Sequence, residues 1–82
     1  MSYRILPTKQ FEKDFKKLNS ESQSRIKKKM SGVAENPERY KHLHYDLNNY
    51  SRVRVGKLRV IFSYDVKKQE LYLRKIVFGH RY

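Results

Sequence analysis

The sequence predicts an α+β fold in which two N-terminal α-helices pack on a four-stranded, mainly antiparallel β-sheet. Three observations carry that expectation. Between Phe11 and Val33 apolar side chains recur at helical spacing; from Tyr50 to Tyr64 polar and apolar residues alternate around a glycine turn; and two further β-rich runs, Ser2–Leu6 and Leu71–Phe78, lie on either side of these.

Each element has a local cause. Ser2 to Leu6 is a short strand with Tyr3 and Ile5 on one side, ended by Pro7. Thr8 is the expected N-cap of the first helix, where Phe11, Phe15 and Leu18 fall at i, i+4 and i+7 and should pack on the sheet. Glu12 and Lys16 stand at ion-pair spacing on the same helix. Asn19-Ser20 breaks the pattern. Ser20 to Gln23 then reads as a capping box, and Ile26, Met30 and Val33 form the narrow apolar seam of a second helix that ends at Asn36-Pro37. Gly32 lies within that helix at a cost of about 1 kcal/mol against alanine, which close packing on the neighbouring helix would explain. Residues 38–49 have no clean period and read as an irregular connection with a turn at Asn48-Asn49.

The stretch from Tyr50 to Tyr64 is the most informative. A strand here puts Tyr50, Arg52 and Arg54 on one face and Ser51, Val53 and Val55 on the other. Gly56-Lys57 is the turn, and Leu58 to Tyr64 is the returning strand. Pairing of the two strands gathers Arg52, Arg54 and Arg59 on one face. Asp65 to Glu70 is turn-like, and in the last strand Leu71, Leu73 and Val77 alternate with Tyr72, Arg74, Ile76 and Phe78, with the period broken at Lys75.

With 82 residues the chain is expected to be one domain, residues 1–82. Cysteine is absent, so neither a disulfide nor a thiolate metal site contributes. No apolar run approaches the roughly 18 residues of a membrane span, and no signal peptide is expected, which leaves a cytoplasmic protein without a membrane partner. Twenty Lys and Arg against eight Asp and Glu give a net charge of +12, more than solubility requires. A nucleic-acid partner is the first explanation, neutralisation by an acidic protein the second, and a solvated surface with no polyanionic role the third.

A cationic cluster with a histidine and tyrosines suits a phosphodiester. The arginine fork matches phosphate oxygens and can stabilise the added charge of a pentacovalent transition state. Cleavage of RNA by its own 2′-hydroxyl requires orientation, charge stabilisation and proton transfer, and no cofactor. Arg59 and Arg81 read as phosphate clamps, with Arg52 and Arg54 as positioning or charge-stabilising groups. His80 has the intrinsic pKa for either proton-transfer role, or it orders the C-terminus as a surface residue. Tyr82 offers a hydrogen bond or a stacking surface, or it serves C-terminal packing. Lys27-Lys28-Lys29 either tracks phosphates or forms a solvated helix face. His42 and His44 lack a third ligand at diagnostic spacing, so no metal site is expected. Asp65 reads as structural or exposed.

The N-terminal strand, the helix Phe11-Glu12-Lys13-Asp14-Phe15-Lys16-Lys17-Leu18, the hairpin from Tyr50 to Phe62 and the ending Val77-Phe78-Gly79-His80-Arg81 together resemble the RelE/ParE toxin superfamily, most closely its RelE-like mRNA interferases. The resemblance covers essentially the whole chain. It implies a RelE-like fold and the toxin of a type II toxin-antitoxin pair that cleaves mRNA in the ribosomal A site, without a metal, by assisted 2′-hydroxyl attack. The family's basic strand positions fall on Arg52 and Arg54, its post-turn arginine on Arg59 and its C-terminal arginine on Arg81. Arginines stand here where RelE itself has lysines, and the C-terminal helix tyrosine of RelE has no counterpart, while the endings of other ribosome-dependent toxins of the superfamily match His80 and Tyr82. The implied partners are a cognate antitoxin, the ribosome with mRNA in its A site, and operator DNA through the toxin-antitoxin complex. ParE-like members inhibit DNA gyrase instead, and a degenerate toxin would act only as an antitoxin-binding module.

Overall fold

The computed structural model describes residues 2–39 and 50–78. Its elements run β1 (Arg4–Pro7), α1 (Lys9–Lys16), α2 (Ser20–Glu35), a 3₁₀ turn (Pro37–Arg39), β2 (Ser51–Val55), β3 (Leu58–Asp65) and β4 (Glu70–Phe78). The four strands form one sheet in the order β1-β4-β3-β2. β2/β3 and β3/β4 are antiparallel, and β1 runs parallel to β4. The helices cover one face, as the sequence predicts. The irregular connection expected over 38–49 is described only as far as the 3₁₀ turn; the turn at Asn48-Asn49, with His42 and His44, lies outside the described residues.

The covered face carries the core. Val53, Val60, Phe62, Leu71, Leu73 and Ile76 meet Phe11 of α1 and Ile26, Met30, Val33 and Ala34 of α2. Phe15 and Leu18, expected to pack like Phe11, are only partly buried against that core, and Leu18 lies beyond the last residue of α1. The strand expected over Ser2–Leu6 begins later and includes Pro7, which an edge strand tolerates because it has a side with no ladder to complete.

The caps show how neighbouring polar residues divide their work. Thr8 caps α1 by accepting from the Phe11 N–H at 3.3 Å, and its hydroxyl also reaches the Leu73 carbonyl at 2.9 Å, so the helix start is pinned to β4. For α2 the cap is Asn19, not Ser20: its side chain accepts from the Ser22 N–H at 2.8 Å. Gln23 does not reach back as a capping-box residue. It donates to the Phe15 and Leu18 carbonyls and ties the end of α1 to the start of α2. Among the described residues the helices' ion pair is Glu21–Arg25, at 3.2 Å, and not Glu12–Lys16.

Two glycines have opposite reasons to be there. Gly56 adopts φ +63° in the two-residue turn between paired Val55 and Leu58, the left-handed position expected of the hairpin. Gly32 is exposed, and a Cβ added there would meet nothing within 4 Å, so close helix packing does not explain it. Among the described residues, no helix is long and apolar enough to cross a membrane.

Candidate nucleic-acid interface

The face of the sheet turned away from the helices is built by register. Arg54 pairs directly with Arg59 across β2 and β3, and Arg59 in turn with Val77 of β4. The next row on this face is Arg52, Ile61 and Lys75. Strand pairing therefore brings Arg52, Arg54 and Arg59 together as the alternation predicts, with no carboxylate in either row. Partial burial, and then the charges of Arg54 and Arg52, push the Arg59 guanidinium below its ordinary pKa. Arginine still carries its proton at neutral pH, so the three groups form a charged cluster whose mutual repulsion an oxyanion would relieve.

One step along, the face changes character. The register moves from Ile61↔Lys75 to Phe62↔Leu73, so Arg74 is the extra residue of a β-bulge. Its guanidinium carbon lies 5.2 Å from the Tyr50 ring centre and 5.8 Å from that of Tyr72, and its Nε–H donates to Ser63 Oγ at 3.1 Å. The Tyr72 hydroxyl donates to Glu70, which also faces Arg4 at 3.5 Å. That bond to Glu70, helped by burial, raises the Tyr72 pKa. The face thus runs from arginines at the hairpin turn, through an aromatic and guanidinium row, to the carboxylates Glu70 and Asp65.

The bulge also corrects the predicted alternation in β4. Lys75 and Val77 face the arginines, whereas Ile76 points into the core with Leu71 and Leu73. The broken period at Lys75 was the visible trace of the extra residue. Arg74 as a member of the site was not legible, because neither the bulge nor its two tyrosine neighbours follow from spacing.

Asp14 has a different part in the site's support. It is buried, accepting from the Ile76 N–H at 2.9 Å and from Gln10 Nε2 at 3.0 Å, so α1 holds β4 just after the bulge. Asp65 is structural, as expected: it accepts the Lys68 N–H at 3.0 Å in the turn before β4. Lys27 sits 5.9 Å over the Phe15 ring on the helix side, away from the arginines. A concavity of about 660 Å³, lined by Ile5, Phe11, Phe15, Ile26 and Met30 among others, is on that same helix side and is mainly apolar. Its lining suits packing rather than reaction chemistry. Among the described residues no three His, Cys, Asp or Glu gather as a metal site requires. His80, Arg81 and Tyr82 lie outside the described residues; β4 ends at Phe78, opposite Leu58 and next to the Arg59 row.

Comparison with known proteins agrees with this architecture. The isolated E. coli RelE toxin superposes with a TM-score of 0.82 at 19% identity, over 99% of this chain and 88% of that one. A chain of the RelBE2 toxin-antitoxin complex from Mycobacterium tuberculosis gives a TM-score of 0.89 at 17% identity, covering 96% and 100%. A chain of the archaeal RelE-RelB complex from Pyrococcus horikoshii gives 0.79 at 25% identity over the full length of both. The search of curated proteins finds no match. The model of the ParE toxin of type II toxin-antitoxin systems matches residues 5–81, nearly the whole chain. With that match and a RelE-like fold in which the helices cover one sheet face and arginines crowd the other, the chain belongs to the ParE toxin family, within the RelE/ParE superfamily.

Proposed function

We propose that this protein is the toxin of a type II toxin-antitoxin pair, acting in the cytoplasm as an endoribonuclease that cuts mRNA in the ribosomal A site. The observation that carries the reading is the Arg52, Arg54 and Arg59 cluster on the sheet face turned away from the helices, at the positions where the RelE-like resemblance expects its basic residues. In the reaction the 2′-oxygen forms a bond to the adjacent phosphorus and the bond to the 5′-oxygen breaks. The 2′-hydroxyl loses a proton and the departing oxygen gains one. No metal is needed to generate the nucleophile, since the substrate supplies it. Arg59 and Arg81 hold the phosphate oxygens, Arg52 and Arg54 place the strand and spread the developing charge, and His80 transfers a proton. Tyr82 stacks on a base or donates a hydrogen bond. The partner is an antitoxin with an acidic or amphipathic segment; solved relatives include RelE chains in complex with RelB.

The test adds the protein to ribosomes programmed with mRNA in the A site and maps new RNA ends. The expected product is a cut confined to the programmed complex, leaving a 2′,3′-cyclic phosphate and a 5′-hydroxyl. Arg59→Ala should slow it about a hundredfold, the scale of losing one preorganised donor, while leaving the fold intact. Equal cutting by wild type and an Arg59→Ala, Arg81→Ala double variant would remove these residues from the site. The family-model match supports a second reading, inhibition of DNA gyrase in the manner of ParE-like members. Gyrase inhibition without RNA cleavage would establish that reading instead.

A further inference from the structure

We propose that Tyr50, Arg74 and Tyr72 form a stacking rung for an unpaired base of single-stranded RNA, next to the arginines that take its phosphates. The choice of RNA rests on the nuclease reading; the rung itself rests on geometry. Arg74 exists on this face because a bulge adds it to β4, and it has no cross-strand partner in the β3 ladder. Its guanidinium lies within about 6 Å of both tyrosine ring centres, the range of cation–π contact. Ser63 takes the Nε–H from below and sets the tilt of the plane. Tyr72 is held from its far end by Glu70.

A basic side chain kept on a sheet surface only for stability would be expected to face a carboxylate. Among the described residues none forms an ion pair with Arg74, although two stand on the same face: Glu70 is engaged by Tyr72 and Arg4, and Asp65 by the Lys68 N–H. What the row presents is π-surface and planar donors, since Tyr50, Tyr72 and Arg74 are all only half-buried. Aromatic rings and guanidinium planes are the groups on which splayed RNA bases stack.

Spacing connects the rung to the arginines. Tyr50 is two residues from Arg52 and four from Arg54 along one strand face, so the rung stands about 7 Å from the Arg52 row and about 13 Å from the Arg54–Arg59 pair. A strand whose phosphate is held by the arginines thus brings a neighbouring base over the tyrosines. Phosphate binding at one end and a stacking surface at the other make a polar track along the face.

The experiment measures binding of short unstructured RNAs to the full protein at low salt, comparing each oligonucleotide with versions made abasic at one position. Stacking predicts that one abasic position weakens wild-type binding about tenfold. Tyr50→Leu with Tyr72→Leu should erase that difference, whereas Tyr72→Phe, which keeps the ring and loses the Glu70 bond, should retain it; thermal melting checks that each variant folds. Arg52→Ala with Arg54→Ala should weaken binding of every oligonucleotide and flatten its salt dependence, by about 0.7 in slope for each phosphate that is no longer neutralised, with the abasic ratio unchanged. Wild-type binding that ignores base removal at all positions, no binding at all, or an abasic ratio that survives the double leucine variant would each overturn the rung. A protein that shows the abasic penalty yet cuts no ribosome-bound mRNA would keep the rung and sink the nuclease.

Discussion

Asp14 shows how one residue supports a site it never enters. It places a carboxylate inside the protein and spends it on the Ile76 N–H, the amide that follows the bulge by two residues. Asp14→Ala should cost about 1 to 3 kcal/mol in urea unfolding, because a buried donor loses its acceptor. Asp14→Asn, which keeps an acceptor oxygen, should cost less; equal losses would mean that volume rather than the hydrogen bond matters. The tyrosines give a second residue-scale prediction. Burial, with Glu38 and Tyr3 nearby, raises the Tyr64 pKa, and the Glu70 bond raises that of Tyr72. Both hold their protons longer folded than unfolded. The stability they contribute is therefore fully present below about pH 10, the unfolded value, and is lost as pH climbs through the higher folded values. Tyrosinate absorbance should show a late-titrating fraction in the folded protein, reduced by Tyr72→Phe, and unfolding midpoints should fall on the alkaline side.

Among the elements, the hairpin and the two helices were legible in the sequence for a simple reason: each advertises itself within a dozen residues, by alternation, by helical spacing or by a glycine turn. The details that escaped depend on contacts between one element and another. Asn19 and Ser20 are both good cap formers, and the choice between them goes with Gln23, which is drawn to the carbonyls of Phe15 and Leu18. In β4 the bulge reverses the facing of everything after Arg74, an effect that shows in the sequence only as a flaw in the period. The same limit applied to the site: Arg52, Arg54 and Arg59 follow from one hairpin, whereas Arg74 meets Tyr50 only after three strands assemble. The glycines offer a test with opposite signs. Gly32→Ala should stabilise by about 0.4 to 1 kcal/mol, since the added methyl meets only space and helix propensity rises. Gly56→Ala should destabilise by about 1 to 2 kcal/mol, because φ +63° is costly for any Cβ and the nearest atom, 3.7 Å away on the Arg25 side chain, is not the obstacle. Chemical denaturation that gave the two the same sign would contradict the backbone described.

At the scale of the whole molecule, charge and topology set the behaviour. A net charge of +12 sits on a body measuring 34 × 28 × 21 Å. At about 0.01 M salt the screening length is about 30 Å, so the cationic excess repels itself across the whole molecule; at physiological salt it is about 8 Å. The melting temperature should rise with ionic strength, by about 5 °C for each kcal/mol of repulsion screened, and a melting temperature that fell with salt would show that attractive pairs outweigh the repulsion. The parallel pairing of β1 with β4 has a consequence for the timing of the protein's synthesis. Thr8 closes on Arg74 across 66 residues of chain, and β4 separates β1 from the rest of the sheet. A nascent chain lacking β4 has a β2–β3 hairpin that β1 cannot join, a bulge that does not yet exist and a first helix without the strand it mainly packs on. The row of Tyr50, Tyr72 and Arg74 therefore assembles only after β4 has left the exit tunnel, and the β1–β4 closure is of the long-range kind that is slow. A cell making this protein is given an interval, between translation and folding, in which the hairpin can be present and the sheet that completes its outer face is not.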